Sequence, residues 1–217
     1  MSKLKILYVW EIPVRVTHWV NVLAIVTLCI TGIFIGHPLS IGKSASGFTM
    51  GWIRFLHFTA AYVFAIGLAV RAYWSFVGNK YSNWRAFFPF LTADGRKKAA
   101  ATFKYYTFID RDLPHTVGHN AVASTAYFLV FLLYLGMIVT GFTLYSEHAP
   151  GGVMHKMLGW ITHIFSNQTL RLIHHSFMWL IIGFVINHIY SCWLMDIKER
   201  GGIMSSMFSG YKSMEED

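Results

Sequence analysis

Four stretches of this chain, His18–Gly36, Phe55–Gly78, Asn120–Ser146 and Ile173–Met195, are apolar over nearly their whole length. A helix needs roughly 20 such residues to cross a bilayer, and each stretch supplies them. The runs are continuous and not alternating, which argues against a transmembrane β-barrel. Composition agrees: 55% of the 217 residues are hydrophobic and only 13% charged, where a soluble domain is about a quarter charged. The expected fold is therefore an all-α membrane protein. One domain over 1–217, a bundle of four transmembrane helices, contains no repeat and no low-complexity tract. The first span is followed by His37-Pro38 and lacks a small-residue cleavage site, so it reads as a retained signal anchor.

Lysine and arginine placement sets the expected topology. The N-terminal tail carries Lys3, Lys5 and Arg15, and the C-terminal tail Lys198, Arg200 and Lys212. The segment Asn79–His119 holds seven basic residues, including "GRKK" at 95–98. The other connections hold only Lys43 with Arg54, and Lys156 with Arg171. Both termini and the middle loop are thus expected in the cytoplasm. A basic inner face against anionic lipid accounts for the net charge of +8 without nucleic acid. The aromatic cluster "WRAFFPFL" at 84–91 is expected at the interface. In the third connection, "VMHKMLGWITHIF" at 153–165 reads as a short helix on the outer membrane surface. It is either a lid over the bundle or a docking surface for an external partner.

The fourth span, "RLIHHSFMWLIIGFVINHIY" at 171–190, places three histidines and an arginine among apolar residues. Ionisable groups at such depth are costly and mark functional sites. His174 and His188 are 14 residues apart, which puts them about 40° apart around a helix and about 21 Å apart along it. They share a face near opposite membrane surfaces, whereas His175 lies well off that face. His18 opens the first span at the depth of His188, and His57 opens the second at the depth of His174. Two histidine pairs at two depths describe two bis-histidine haem sites stacked across the bilayer. Gly32, Gly67, Gly136 and Gly141 are candidates for the space a flat macrocycle needs.

Arg15, Arg54 and Arg171 each precede a paired histidine by three residues, so each lies on its histidine's face, one turn nearer the surface. They are candidates for the haem propionates. Arg71, 14 residues after His57, is a fourth, since no carboxylate is expected near it. Paired zinc sites lack further ligands at tetrahedral spacing. His37, His148, His155 and His163 in outer connections, and His115 and His119 in the inner loop, read as surface residues. The exception is His119-Asn120, at the cytoplasmic start of the third span near the inner pair. Cys29 and Cys192 form no CxxC or CxxCH motif, so neither an iron–sulfur cluster nor a covalently attached haem is encoded. Both read as packing residues.

"WEIPVR" at 10–15, "RVTHWVNVLAIVTLCITG" at 15–32 and "RLIHHSFMWLIIGFVINH" at 171–188 resemble the signatures of the b-type cytochrome subunit of membrane-bound nickel–iron hydrogenases. The resemblance covers essentially the whole chain. It implies two noncovalent haems b, ligated by His18 with His188 and by His57 with His174. It further implies a bacterial inner-membrane location and hydrogenase large (nickel–iron) and small (iron–sulfur) subunits docked outside. Quinone would be reduced near the inner haem, with Asn120, His119 and Arg15 as its candidate contacts, and a dimer of the whole complex fits the family. The integral subunit of formate dehydrogenase is built similarly and shares the 14-residue histidine spacing. A stand-alone two-haem quinol-oxidising cytochrome would also suit these histidines, and a non-redox scaffold or transporter would suit the four spans alone. No cysteine pairs for nickel and iron occur here, so hydrogen chemistry would belong to another chain.

Overall fold

Polar groups in lipid have no water to bond, so a spanning segment must satisfy its own backbone and hydroxyls. The computed structural model, which describes residues 4–37, 48–107, 109–111 and 121–215, meets that demand with four long helices. They are α1 (Ile12–Gly36), α2 (Thr49–Val77), α4 (Ala121–Ser146) and α6 (Asn167–Glu199). Each is long and apolar enough to cross a membrane. The shorter elements are α3 (Ala93–Tyr106), α5 (Val153–Leu158), α7 (Ile203–Ser209), and strands β1 (Leu4–Tyr8) and β2 (Tyr211–Glu215). Span hydroxyls bond back onto their own helices. Thr27, Thr31, Thr140 and Thr143 each lie within 2.9 Å of a carbonyl four residues earlier. The helices carry large apolar side chains outward, with Leu23 69%, Ile66 63%, Leu172 69% and Trp179 62% exposed. Exposed apolar surface on that scale suits hydrocarbon as solvent and not water.

The chain divides into two compact units. The first comprises Met1–Thr17, Val70–Phe131 and Ile186–Asp217. Its core is Val9, Trp10 and Val14, with Leu7, Trp74, Tyr81 and Met207 against them. The "WEIPVR" stretch turns out to be the seam of this unit. Trp10 Nε1 donates to Ser206 Oγ at 3.1 Å, and Arg15 donates to the Phe208 carbonyl. Glu11 accepts from Trp74 Nε1 (2.9 Å), the Asn79 amide (2.8 Å) and Ser82 Oγ (2.9 Å). Pro13, in the first turn of α1, costs the helix no internal hydrogen bond there.

The two strands form an antiparallel ribbon in the same unit, with Leu4 opposite Glu215 and Tyr8 opposite Tyr211. This small ribbon is an element the all-α expectation did not include, and it ties the two ends of the chain together. The ribbon meets α7 through Gly210, whose φ of +88° suits glycine. A Cβ there would lie 2.8 Å from the Trp10 carbonyl. That closeness lets Val9 and Trp10 donate to the Gly210 carbonyl at 2.8 and 3.1 Å. The "WRAFFPFL" stretch forms two short 3₁₀ turns, and Ser124 of α4 donates to the Ala86 carbonyl at 2.9 Å.

The second unit comprises His18–Ala69 and Leu132–Val185. Here four helical segments close a ring of contacts. Thr31 of α1 meets His57 of α2, and Phe64 of α2 meets Tyr134 of α4 edge to face at 5.1 Å. Thr140 of α4 meets His174 of α6, and His175 of α6 returns to Gly36 of α1. Phe58, Tyr62, Phe142, Tyr145 and His148 form an aromatic cluster at one end. Residues 153–163 are helical as expected, α5 running into a 3₁₀ turn.

Candidate functional site

In the second unit the histidines expected to form one pair both have defined surroundings. His57 projects from α2 with its Nδ1 2.8 Å from Thr31 Oγ1 on α1. His174 projects from α6 with its Nδ1 2.9 Å from Thr140 Oγ1 on α4. Each threonine is followed by a glycine against the same ring. A Cβ on Gly32 would lie 3.4 Å from His57 Cε1, and one on Gly141 3.0 Å from His174 Cε1. Met178, one turn after His174, is buried and brings its sulfur to 3.8 Å from the same Gly32 position. Two helices thus present imidazoles, and two others present a hydroxyl and bare backbone to receive them.

His175 also has a defined place. Its Nδ1 lies 2.8 Å from the Arg171 carbonyl, and its Nε2 would be 2.7 Å from a Cβ on Gly36. The rings of His57 and His175 therefore rest on α1 one turn apart, at Gly32 and Gly36. Two of the four glycines expected to make room for a macrocycle are filled by protein instead. Asn21 occupies the space over Gly67, and Phe177 the space over Gly136. The other two, Gly32 and Gly141, receive the histidine rings themselves.

His18 belongs to the second unit and His188 to the first. The His18 ring stands edge-on to Trp19 at 5.1 Å. The His188 Nδ1 is 3.4 Å from Tyr127 Oη on α4 and 3.7 Å from Cys192 Sγ one turn on. Cys192, expected only to pack, is thus a neighbour of that histidine.

Among the arginines, Arg71 departs from expectation. Its guanidinium donates to the Ser82 carbonyl at 3.2 Å and lies 5.2 Å from the centre of the Phe87 ring. The Glu11 carboxylate is near enough to act on its charge. A protein carboxylate is in sight after all, because the loop after α2 and the start of α1 meet in one unit. Arg15 bonds the Phe208 carbonyl, and Arg171 donates to Asn167 Oδ1 at 2.6 Å, with Asn167 in turn on Glu147. Arg54 is exposed in the first turns of α2. His119 and Asn120, the candidate quinone residues, lie outside the described residues.

The threonines are functional candidates that reading the sequence missed. Their signal was available: "ITG" at 30–32 and "VTG" at 139–141 repeat one dipeptide on two spans.

The profile of the family "Prokaryotic cytochrome b561" matches residues 9–210. The chain belongs to this family. Similar proteins include one from Cupriavidus necator, 40% identical over 99% of this chain and 90% of its own length. Another, from Bradyrhizobium diazoefficiens, is 41% identical over 96% and 87%. One from Escherichia coli K12 is 37% identical over 95% and 90%. The first two are named "Probable Ni/Fe-hydrogenase B-type cytochrome subunit", and the third "Probable Ni/Fe-hydrogenase 1 B-type cytochrome subunit". The family resemblance carried by residues 10–32 and 171–188 is borne out.

A b-type cytochrome implies haem b, and the second unit fits one. Haem iron takes axial imidazoles, and His57 and His174 come from separate spans with each Nδ1 held by a threonine hydroxyl. Among the described residues, no three His, Cys, Asp or Glu converge as a bare metal ion would require.

Proposed function

We propose that this chain is the membrane electron-transfer subunit of a hydrogen:quinone oxidoreductase. It takes electrons from a nickel–iron hydrogenase on the outer side, through that enzyme's iron–sulfur small subunit, and delivers them to membrane quinone. The observation that carries the reading is the matched setting of His57 and His174 on two spans, each engaged by a threonine of another. The names of the full-length relatives support the hydrogenase as partner.

In this reading His57 with His174 holds one haem b, and His18 with His188 holds the second. Bound there, the haems supply reversible one-electron transfer. The apolar spans exclude water from the path. Arg15, Arg54 and Arg171 place cations near the membrane surfaces, where propionates need partners. Arg71 already has the Glu11 carboxylate near its charge, so the propionate role is assigned to the other three. His119, Asn120 and Arg15 are the residues assigned to the quinone. Basic segments at both ends and between α2 and α4 support an orientation with both termini in the cytoplasm of a bacterial inner membrane.

Purification from membranes, with oxidised and dithionite-reduced spectra and haem quantified per chain, tests this. The expected result is two noncovalent haems b per chain, reduced by hydrogen through co-purifying nickel and iron–sulfur subunits. Reduction by formate but not hydrogen would reassign the partner. Absence of haem would overturn the reading.

A further inference from the structure

We infer that Thr31 and Thr140 are positioning residues that fix the tautomer and ring plane of His57 and His174, so that each presents Nε2 to iron. The inference rests on the haem reading above. A threonine hydroxyl has one hydrogen and two lone pairs. Thr31 Oγ1 lies 2.6 Å from the Thr27 carbonyl, and Thr140 Oγ1 2.7 Å from the Gly136 carbonyl. Two oxygens that close need a hydrogen between them, and a carbonyl has none to give. The hydroxyl hydrogen therefore points back along its own helix. Only lone pairs remain for the imidazoles at 2.8 and 2.9 Å. Each Nδ1 must be the N–H donor, and each Nε2 carries the free lone pair.

The same helices hold the rings in plane. Gly32 and Gly141 follow the threonines and leave room for the rings, since a Cβ on either would lie 3.4 Å from His57 Cε1 or 3.0 Å from His174 Cε1. The threonines are buried, at 6% and 8% exposed. One device is thus built twice, α1 serving α2 and α4 serving α6. His188 is set differently, with a tyrosine hydroxyl and a thiol beside it. A bond from Nδ1–H to an oxygen makes an imidazole a stronger donor, which favours ferric iron and lowers the potential.

The test uses the purified complex with Thr31→Val, Thr31→Ser, Thr140→Val and Thr140→Ser. Each is read by potentiometric titration, by low-temperature electron paramagnetic resonance of the ferric haems, and by haem retention on dilution in detergent. Both valine variants should raise the potential of the same single haem and shift its resonance while leaving the other haem unchanged. Serine should restore both. Retention of that haem should weaken by about 10- to 100-fold in the valine variants. Gly141→Ala should perturb the same signal more than Gly32→Ala, since its added carbon comes closer to the ring (3.0 against 3.4 Å).

Valine variants with unaltered potentials and resonances would overturn the inference. His57→Ala serves as the control on the underlying reading. Loss of one haem in His57→Ala with silent valine variants defeats only the threonine role. Retention of both haems in His57→Ala defeats the haem assignment itself.

Discussion

Glu11 shows how one side chain governs the seam between the chain ends. Burial alone would raise its carboxyl pKa. The Asn79 amide, the Trp74 and Ser82 side chains and the Arg71 charge outweigh that and hold it below the ordinary carboxylate range. A folded pKa below the unfolded one means stability that is present above the unfolded value, about 4.3. It is lost as pH falls through the folded value. Glu11→Gln keeps the shape and removes the charge. We expect it to cost about 1–3 kcal/mol near neutral pH, the worth of hydrogen bonds to a charged acceptor. Thermal unfolding in detergent, followed from pH 7 down to pH 3, should show the gap between variant and parent closing below about pH 4. A gap independent of pH would show that shape and not charge is what matters at this position. At the same scale, His57→Ala and His174→Ala should each remove one haem, and it should be the same one. Haem quantified per chain with reduced spectra checks this, because losing different haems would break the pairing.

The elements differ in how far they could be read from the chain. The spans were legible because lipid demands about 20 apolar residues whatever the neighbours are, although three of the helices begin before the apolar windows. α1 begins at Ile12 and α6 at Asn167, because a helix can continue past its apolar stretch into more polar residues. The histidine spacing was legible because helical phase is local. The repeated Thr-Gly dipeptide was legible too, but its meaning was not until the imidazoles beside it were placed. The β1·β2 ribbon was not legible: "LKILY" and "YKSME" are strands only because they pair with each other, and strand preference is mostly context. The hinge of that ribbon offers a test of its own. Gly210→Ala must adopt a positive φ and push a carbon toward the Trp10 carbonyl. A strain of about 1–3 kcal/mol is expected. Limited proteolysis should release the C-terminal strand in the variant at protease levels the parent resists, with α6 left intact.

Across the whole molecule, the proposed function and the distribution of charge make a joint prediction about voltage. In the proposed function, hydrogen oxidation would release protons outside and quinone reduction would take protons from inside. Only electrons would then cross through the chain, moving inward with no compensating cation. Each such charge works against about 2.3 kcal/mol per 100 mV of membrane potential, so turnover should both build a potential and slow as it grows. The complex in sealed vesicles of native orientation, supplied with hydrogen and quinone, should generate an interior-negative potential that a cationic dye reports. An uncoupler should abolish the dye signal and speed hydrogen uptake. His188→Ala should silence the dye and quinone reduction together, while hydrogen oxidation with an artificial outer acceptor continues. An interior-positive signal would reverse the assigned direction. Quinone reduction without any potential would place the acceptor on the same side as the hydrogenase, and the second haem would then have no role in crossing the bilayer.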